Sequence, residues 1–176
     1  LQEIPPRLLQ WYDGNKRILP WRSDPTPYHV WVSEIMLQQT RVEAVKPYYE
    51  RFLKTLPTIQ DLAEAEEETI LKLWEGLGYY SRVRNMQKAA IQIMEEHDGS
   101  FPSEHQKILK LKGIGPYTAG AVGSIAFDLP IPAVDGNVLR VMSRLTADSS
   151  DISLQTTKKE WEKEFKAIEA LEQEAK

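Results

Sequence analysis

Two acidic residues are distinguished by their settings. Glu34 lies in Trp31-Val32-Ser33-Glu34-Ile35-Met36-Leu37, a run that is apolar on both sides of the carboxylate, and Asp135 lies in Val134-Asp135-Gly136-Asn137-Val138. A glutamate in so apolar a helix is either on its wet face or in a pocket that raises its pKa. An aspartate just before a helix either caps it or turns its carboxylate toward a deoxyribose whose glycosidic bond is breaking. In the pocketed case Glu34 can keep a proton for a leaving group while Asp135 remains a carboxylate. Paired carboxyl groups in unlike environments are a recurrent solution for cleaving glycosidic bonds.

A second constellation is Leu111-Lys112-Gly113-Ile114-Gly115-Pro116-Tyr117-Thr118-Ala119-Gly120-Ala121. The glycines permit a tight turn with close backbone approach, and Pro116 can begin a helix without wasting an N–H. Unpaired amides at such a helix start face an anion, for which a DNA phosphate is the natural occupant; any tight helical hairpin could use the same Gly-x-Gly. A protein that acts on a base inside duplex DNA must expel it and fill the space left behind. Tyr79, in Gly76-Leu77-Gly78-Tyr79-Tyr80, suits that wedge, although Tyr79 and Tyr80 could equally be half-buried core aromatics. Gln38 and Gln39 read as wedge or as plain surface, and Arg82, Arg84 and Lys88 as phosphate contacts or as a solvated helix face.

The elements that must position these residues all read as helices, because apolar residues recur at helical spacing and no run alternates as a strand does. Helices are expected over about 5–12, 28–39, 42–55, 66–75, 81–97, 116–127 and 136–145, with short ones starting near Asp61 and ending at Leu109, and a last one opening at Ser153 or Thr156. Leu19 to Pro27 is expected to be a turn-laden surface loop, because prolines 20, 25 and 27 interrupt it. The chain has 176 residues, 41% hydrophobic and 27% charged, enough for one domain or two small lobes. Cysteine is absent, which removes disulfides, thiolate metal sites and thiol nucleophiles, and His29, His97 and His105 are too scattered for a metal site. A net charge of -4 weighs against nucleic-acid binding, but Lys107, Lys110 and Lys112 cluster, as do Arg140 and Arg144. No segment is apolar for long enough to cross a membrane, and a cytoplasmic location is expected.

Leu-Pro-Trp-Arg at 19–22, Val-Ser-Glu-Ile-Met-Leu-Gln-Gln-Thr at 32–40, Gly-Leu-Gly-Tyr-Tyr-Ser-Arg at 76–82, the hairpin at 113–115 and Val-Asp-Gly-Asn-Val at 134–138 together resemble the catalytic domain of the MutY-type adenine DNA glycosylases of the helix-hairpin-helix superfamily. The resemblance runs from about Leu8 to Leu145. It implies an all-α fold of two helical lobes with a cleft between them, the second incomplete here. Residues 1–27 and 134–176 would belong to that second lobe and 28–133 to a six-helix-type lobe carrying the hairpin. The implied activity is excision of adenine mispaired with 8-oxoguanine or guanine in double-stranded DNA, by a monomer associated with the nucleoid of a bacterial cell.

By the same resemblance Glu34 is the general acid that protonates adenine N7 and orders the attacking water, and Asp135 supports the sugar cation or forms a transient adduct with it. Tyr117 and Asn137 assist beside that centre. Arg22, with Leu19, Trp21 and Arg17, forms the adenine pocket. Gln39 and Tyr79 form the wedge, Thr40 and Leu77 border the lesion strand, and Gly113, Ile114 and Gly115 hold a phosphate, their carbonyls matching a monovalent cation site. Tyr117 stands where the endonuclease III proteins carry a lysine nucleophile, and a tyrosine cannot form a Schiff base, so a monofunctional glycosylase is expected.

The chain departs from the family after Leu145. The family's four-cysteine 4Fe-4S segment has no counterpart, and the chain is expected either to be truncated before it or to be a cluster-less variant, so no cofactor is expected beyond the hairpin cation. Two rival functions are an endonuclease III-like glycosylase for oxidised pyrimidines and a non-catalytic helix-hairpin-helix DNA-binding module.

Overall fold

A computed structural model of the chain describes residues 4–174, without the side chains of Pro5 and 167–174. Residues 1–3 and 175–176, the outer ends of the first and third expected segments, lie outside the described residues. Eleven helices follow one another, with no strand among the described residues: α1 (Ile4–Asn15), α2 (Pro20–Ser23), α3 (Pro27–Leu37), α4 (Val42–Thr55), α5 (Ile59–Glu64), α6 (Glu67–Trp74), α7 (Ser81–Glu96), α8 (His105–Ile108), α9 (Pro116–Phe127), α10 (Gly136–Thr146) and α11 (Gln155–Glu174). The all-α expectation is met, and most helix ends fall within a few residues of those read from the sequence.

Local chemistry sets several of the starts. The Thr26 hydroxyl caps α3 by accepting from the His29 amide at 3.2 Å. Thr58 and Asp61 form a reciprocal capping box at α5. Pro20, Pro27 and Pro116 each stand in a first helical turn, where the missing N–H costs nothing.

Helices α3 and α9 pack along one another at the centre. Helix α3 buries Tyr28, Val30, Trp31, Val32, Ser33, Ile35 and Met36, so Glu34 is its one partly exposed residue between Tyr28 and Met36, apart from His29. Helix α9 presents small residues, Ala119, Gly120, Ala121 and Gly123, all buried. A Cβ at Gly120 would lie 2.9 Å from the Pro132 carbonyl oxygen, so glycine there lets the segment leading to Asp135 press directly on α9.

The apolar side chains form two cores of unequal size. The larger runs from Leu19 to Val122 and includes Trp31, Phe52, Trp74 and Met86, all fully buried. The smaller consists of Val134, Leu139 and Trp161, with Val138, Met142 and Phe165 packed around them. One expectation is corrected in part. Of the segment Leu19 to Pro27, Arg22 to Thr26 are exposed as a surface link would be, but Pro20 starts the single turn α2, in which Trp21 packs edge-on against Tyr49 at 5.3 Å. Leu19 and Trp21 are buried in the larger core.

Candidate active site

Three separate stretches of chain bring chemistry to one place. Glu34 projects from the middle of α3, Tyr117 from the first turn of α9, and Asp135 from the N-cap of α10. The Tyr117 hydroxyl donates to the Glu34 carboxyl, and the charge of Asp135 acts on both groups. Burial, more than any other cause, lifts Glu34 above the usual carboxylate range; the Tyr117 hydrogen bond pulls it back and the negative charge of Asp135 adds to the rise. Tyr117 is itself pushed up to about 12, by burial first and then by the two acids. It therefore remains a hydroxyl donor at any physiological pH.

Of the two readings of Asp135, the structure displays the cap. One oxygen accepts from the Asn137 amide at 2.9 Å and the Val138 amide at 2.8 Å, which satisfies two orphan donors at the start of α10. The other accepts from Asn137 Nδ2 at 2.8 Å, and Asn137 Oδ1 in turn accepts from Arg140 at 2.8 Å. The carboxylate plane is thereby locked.

A cleft of about 540 Å³ opens beside Glu34. Val30, Ser33, Glu34 and Leu37 line it at helical spacing from one face of α3. All four residues of the expected adenine pocket, Arg17, Leu19, Trp21 and Arg22, also line it. Arg22 stacks over the Tyr12 ring at 5.4 Å and donates to the Arg17 carbonyl at 3.2 Å, so the mouth of the cleft is cationic. Sequence reasoning missed Tyr12, Ser33 and Ile125, which also line it; the i, i+3, i+4, i+7 register with Glu34 would have found Ser33.

Gln39 and Tyr79 share an unusual backbone. Gln39 has φ 59 and Tyr79 has φ 48, both left-handed and both exposed, Tyr79 at 68%. Tyr79 is therefore not a core aromatic. Non-glycine residues in that region cost of order 1–3 kcal/mol each and persist only where the surroundings enforce them. Thr40 follows directly, its hydroxyl donating to the Gln38 carbonyl at 3.3 Å. Leu77, expected to border a DNA strand, lies between Gly76 and Gly78 with its side chain buried in the larger core, so only its backbone faces outward beside Tyr79.

In the hairpin, Gly113 has φ 77 and a Cβ there would stand 2.7 Å from Asn85 Cβ, so both backbone and space demand glycine. Ile114 does not offer a free amide: it donates to the Leu111 carbonyl at 3.1 Å and buries its side chain. The donors left for an anion are the first amides of α9. Arg82, read as a phosphate contact or a solvated residue, is neither; its guanidinium is spent on backbone carbonyls. Arg84 pairs with Glu67 at 2.6 Å.

The chain contains no cysteine and so offers no ligand to an iron-sulfur cluster, and no group of three or more acidic or histidine side chains that could hold a metal converges among the described residues. None of the described helices is long and apolar enough to cross a membrane.

Among known proteins, the chain is 50% identical over 153 residues to the adenine DNA glycosylase of Mus musculus, covering 82% of this chain and 30% of that protein. It is 44% identical over 176 residues to the adenine DNA glycosylase of Arabidopsis thaliana, covering 85% of this chain and 28% of that one. The chain thus spans about 30% of the length of these relatives. Its fold matches the solved structure of a thermostable thymine-DNA glycosylase with a TM-score of 0.80 at 24% identity, over 91% of this chain and 74% of that one. The family described as HhH-GPD superfamily base excision DNA repair protein matches residues 32–169, the stretch that holds Glu34, the hairpin and Asp135, and the chain belongs to that family.

Proposed function

We propose that this chain is the catalytic part of a monofunctional adenine DNA glycosylase, excising adenine mispaired with 8-oxoguanine or guanine in double-stranded DNA. The observation that carries the proposal is that Glu34, which lines a cleft wide enough to take a purine, is coupled to Tyr117 and Asp135. The adenine would enter between Arg22 and the Glu34 face of α3, while Gln39 and Tyr79 fill the gap left in the duplex, flanked by Thr40. The amides around Gly115 would hold a phosphate of the same strand, and the carbonyls of Gly113, Ile114 and Gly115 a monovalent cation. The protein would act as a monomer on chromosomal DNA, in a bacterial cell on the nucleoid.

In the proposed reaction, Glu34, whose protonated form is favoured by burial, donates its proton to adenine N7. The C1′–N9 bond then breaks, its electron pair leaving with the purine. Asp135 faces the resulting oxocarbenium ion, and its hydrogen bonds from Asn137 and the α10 amides keep it from collapsing onto another partner. Water adds at C1′ and gives its proton to the Glu34 carboxylate, which restores the acid and leaves an abasic site. Tyr117 offers no amine for a Schiff base, so the strand stays intact.

The test is single-turnover excision on a panel of duplexes with adenine opposite 8-oxoguanine, guanine or thymine, and with oxidised thymine. Adenine opposite 8-oxoguanine should be the best substrate, and Glu34→Gln and Asp135→Asn should each lower the rate by about a thousandfold or more with duplex binding retained. Either variant excising at near the unmodified rate would overturn the two-carboxylate mechanism, and oxidised thymine as best substrate would overturn the adenine reading.

A further inference from the structure

The two exposed turns that carry Gln39 and Tyr79 are joined by one side chain. Arg82, in the first turn of α7, donates from Nη1 to the Ile35 carbonyl at 2.9 Å and to the Gln38 carbonyl at 2.7 Å. From Nη2 it donates to the Leu77 carbonyl at 2.9 Å and to the Gly78 carbonyl at 3.2 Å. The first pair are the free carbonyls at the C-terminal end of α3, one residue short of Gln39; the second pair immediately precede Tyr79. The guanidinium also lies 5.4 Å from the Trp74 ring centre and 5.7 Å from that of Tyr79, and Trp74 Nε1 donates to the same Gly78 carbonyl at 3.1 Å.

We infer that Arg82 is a positioning residue for base extrusion: its planar fork spans the two turns and holds Gln39 and Tyr79, both in left-handed backbone, at a fixed separation from which they can enter the base stack together. The inference rests on the proposed glycosylase reading. The physical reason is the cost of the two turns. Neither Gln39 nor Tyr79 would hold its conformation unaided, and Gln39 follows a helix end whose carbonyls need partners. A cation at that end satisfies those carbonyls and opposes the negative end of the α3 dipole. Only arginine reaches four carbonyls at once, because its donors are spread over a rigid plane, whereas a lysine ammonium has three donors at one point. Arg82 touches no reacting atom: it acts through the turns, while Glu34 faces the cleft from another side of α3.

The experiment is a double-mutant cycle in the intact protein, with Arg82→Lys, Tyr79→Ala and the pair together. Duplexes carry 2-aminopurine, whose emission rises on unstacking, in place of the adenine opposite 8-oxoguanine, and parallel duplexes carry adenine for single-turnover excision. Arg82→Lys should slow the emission rise by roughly tenfold and leave duplex affinity within about threefold, while the double variant behaves like Tyr79→Ala alone, because a residue that acts through Tyr79 has nothing left to act on once that ring is gone. A merely structural arginine would give losses that multiply, and that result, or extrusion by Arg82→Lys at the unmodified rate, would overturn the inference. Should Arg82→Lys fail to fold by circular dichroism, Arg82→Gln, whose amide carries two N–H donors in place of five, takes its place in the same cycle. An unmodified protein that extrudes the base without excising it would sink the glycosylase reading and leave the cycle readable; one that does neither would sink both.

Discussion

The surroundings of Glu34 and those of Asp135 are built to different standards. Glu34 stands on a helix whose neighbours Trp31, Val32, Ile35 and Met36 are at most 4% exposed within the larger core. Asp135 stands at the N-cap of α10, whose own core among the described residues is Val134, Leu139 and Trp161, and α10 leaves Val141 and Leu145 at least half exposed. The same contrast separates the exposed turns at Gln39 and Tyr79, tied together by Arg82, from α1, where Leu8, Leu9 and Trp11 lie more than half exposed. The acid is thus placed by bulk packing. Asp135 is placed by polar bonds from Asn137 and the α10 amides and by close approach at Gly120, with a small apolar core among the described residues.

This contrast can be broken most sharply at Trp161. Trp161→Ala removes the largest member of the small core and its ring contact with Phe165 at 5.9 Å, so it should cost about 3–5 kcal/mol. Hydrogen exchange should register that loss at the amides of α10 while those of α3 and α7 keep their protection; uniform loss across the chain would mean that the two regions unfold as one.

Gly120→Ala probes the join between the regions. Its Cβ would meet the Pro132 carbonyl oxygen at 2.9 Å, so the Asp135 segment must shift by a few tenths of an ångström. We expect destabilisation of about 1–3 kcal/mol, and excision reduced by roughly ten- to a hundredfold because displacement at a reacting centre is costly. Gly136→Ala, where a Cβ meets nothing within 4 Å, is the control and should have little effect on either measurement.

The smallest effect expected is a displaced pH profile. Excision needs protonated Glu34, so its rate should fall as pH rises through the raised pKa of that group. The Tyr117 hydrogen bond favours the charged form of Glu34 and lowers that pKa, so Tyr117→Phe should move the alkaline limb to higher pH. A shift to lower pH would show that burial and not the hydroxyl dominates what Tyr117 does to Glu34.

Short-range signals made most of the helices legible. Thr26, Thr58 and Asp135 as caps and Pro27 and Pro116 in first turns all act within four residues, a range over which sequence and conformation are tightly coupled. The link at Leu19 to Pro27 misled because proline spacing reports where a helix must stop, while the burial of Trp21 against Tyr49, 28 positions on, decides that a helical turn forms there at all. Arg82 escaped for the same reason. Its composition and its neighbours Arg84 and Lys88 speak for a solvated or phosphate-binding face, and only the fold brings Ile35 and Gln38, more than forty residues earlier, within reach of its guanidinium.

What the chain alone determined is the set of chemical groups and their local frames: an acid inside an apolar helix, a glycine hairpin entering a helix at Pro116, an aspartate poised to cap α10. These follow from side-chain identity and from hydrogen bonds that close over three or four residues. Only the tertiary structure decided that Glu34 meets Tyr117 and Asp135, that Leu77 turns inward, and that one arginine binds both exposed turns. Such pairings depend on how helices far apart in the chain pack, and burial and electrostatic coupling between distant groups arise only once that packing has excluded water.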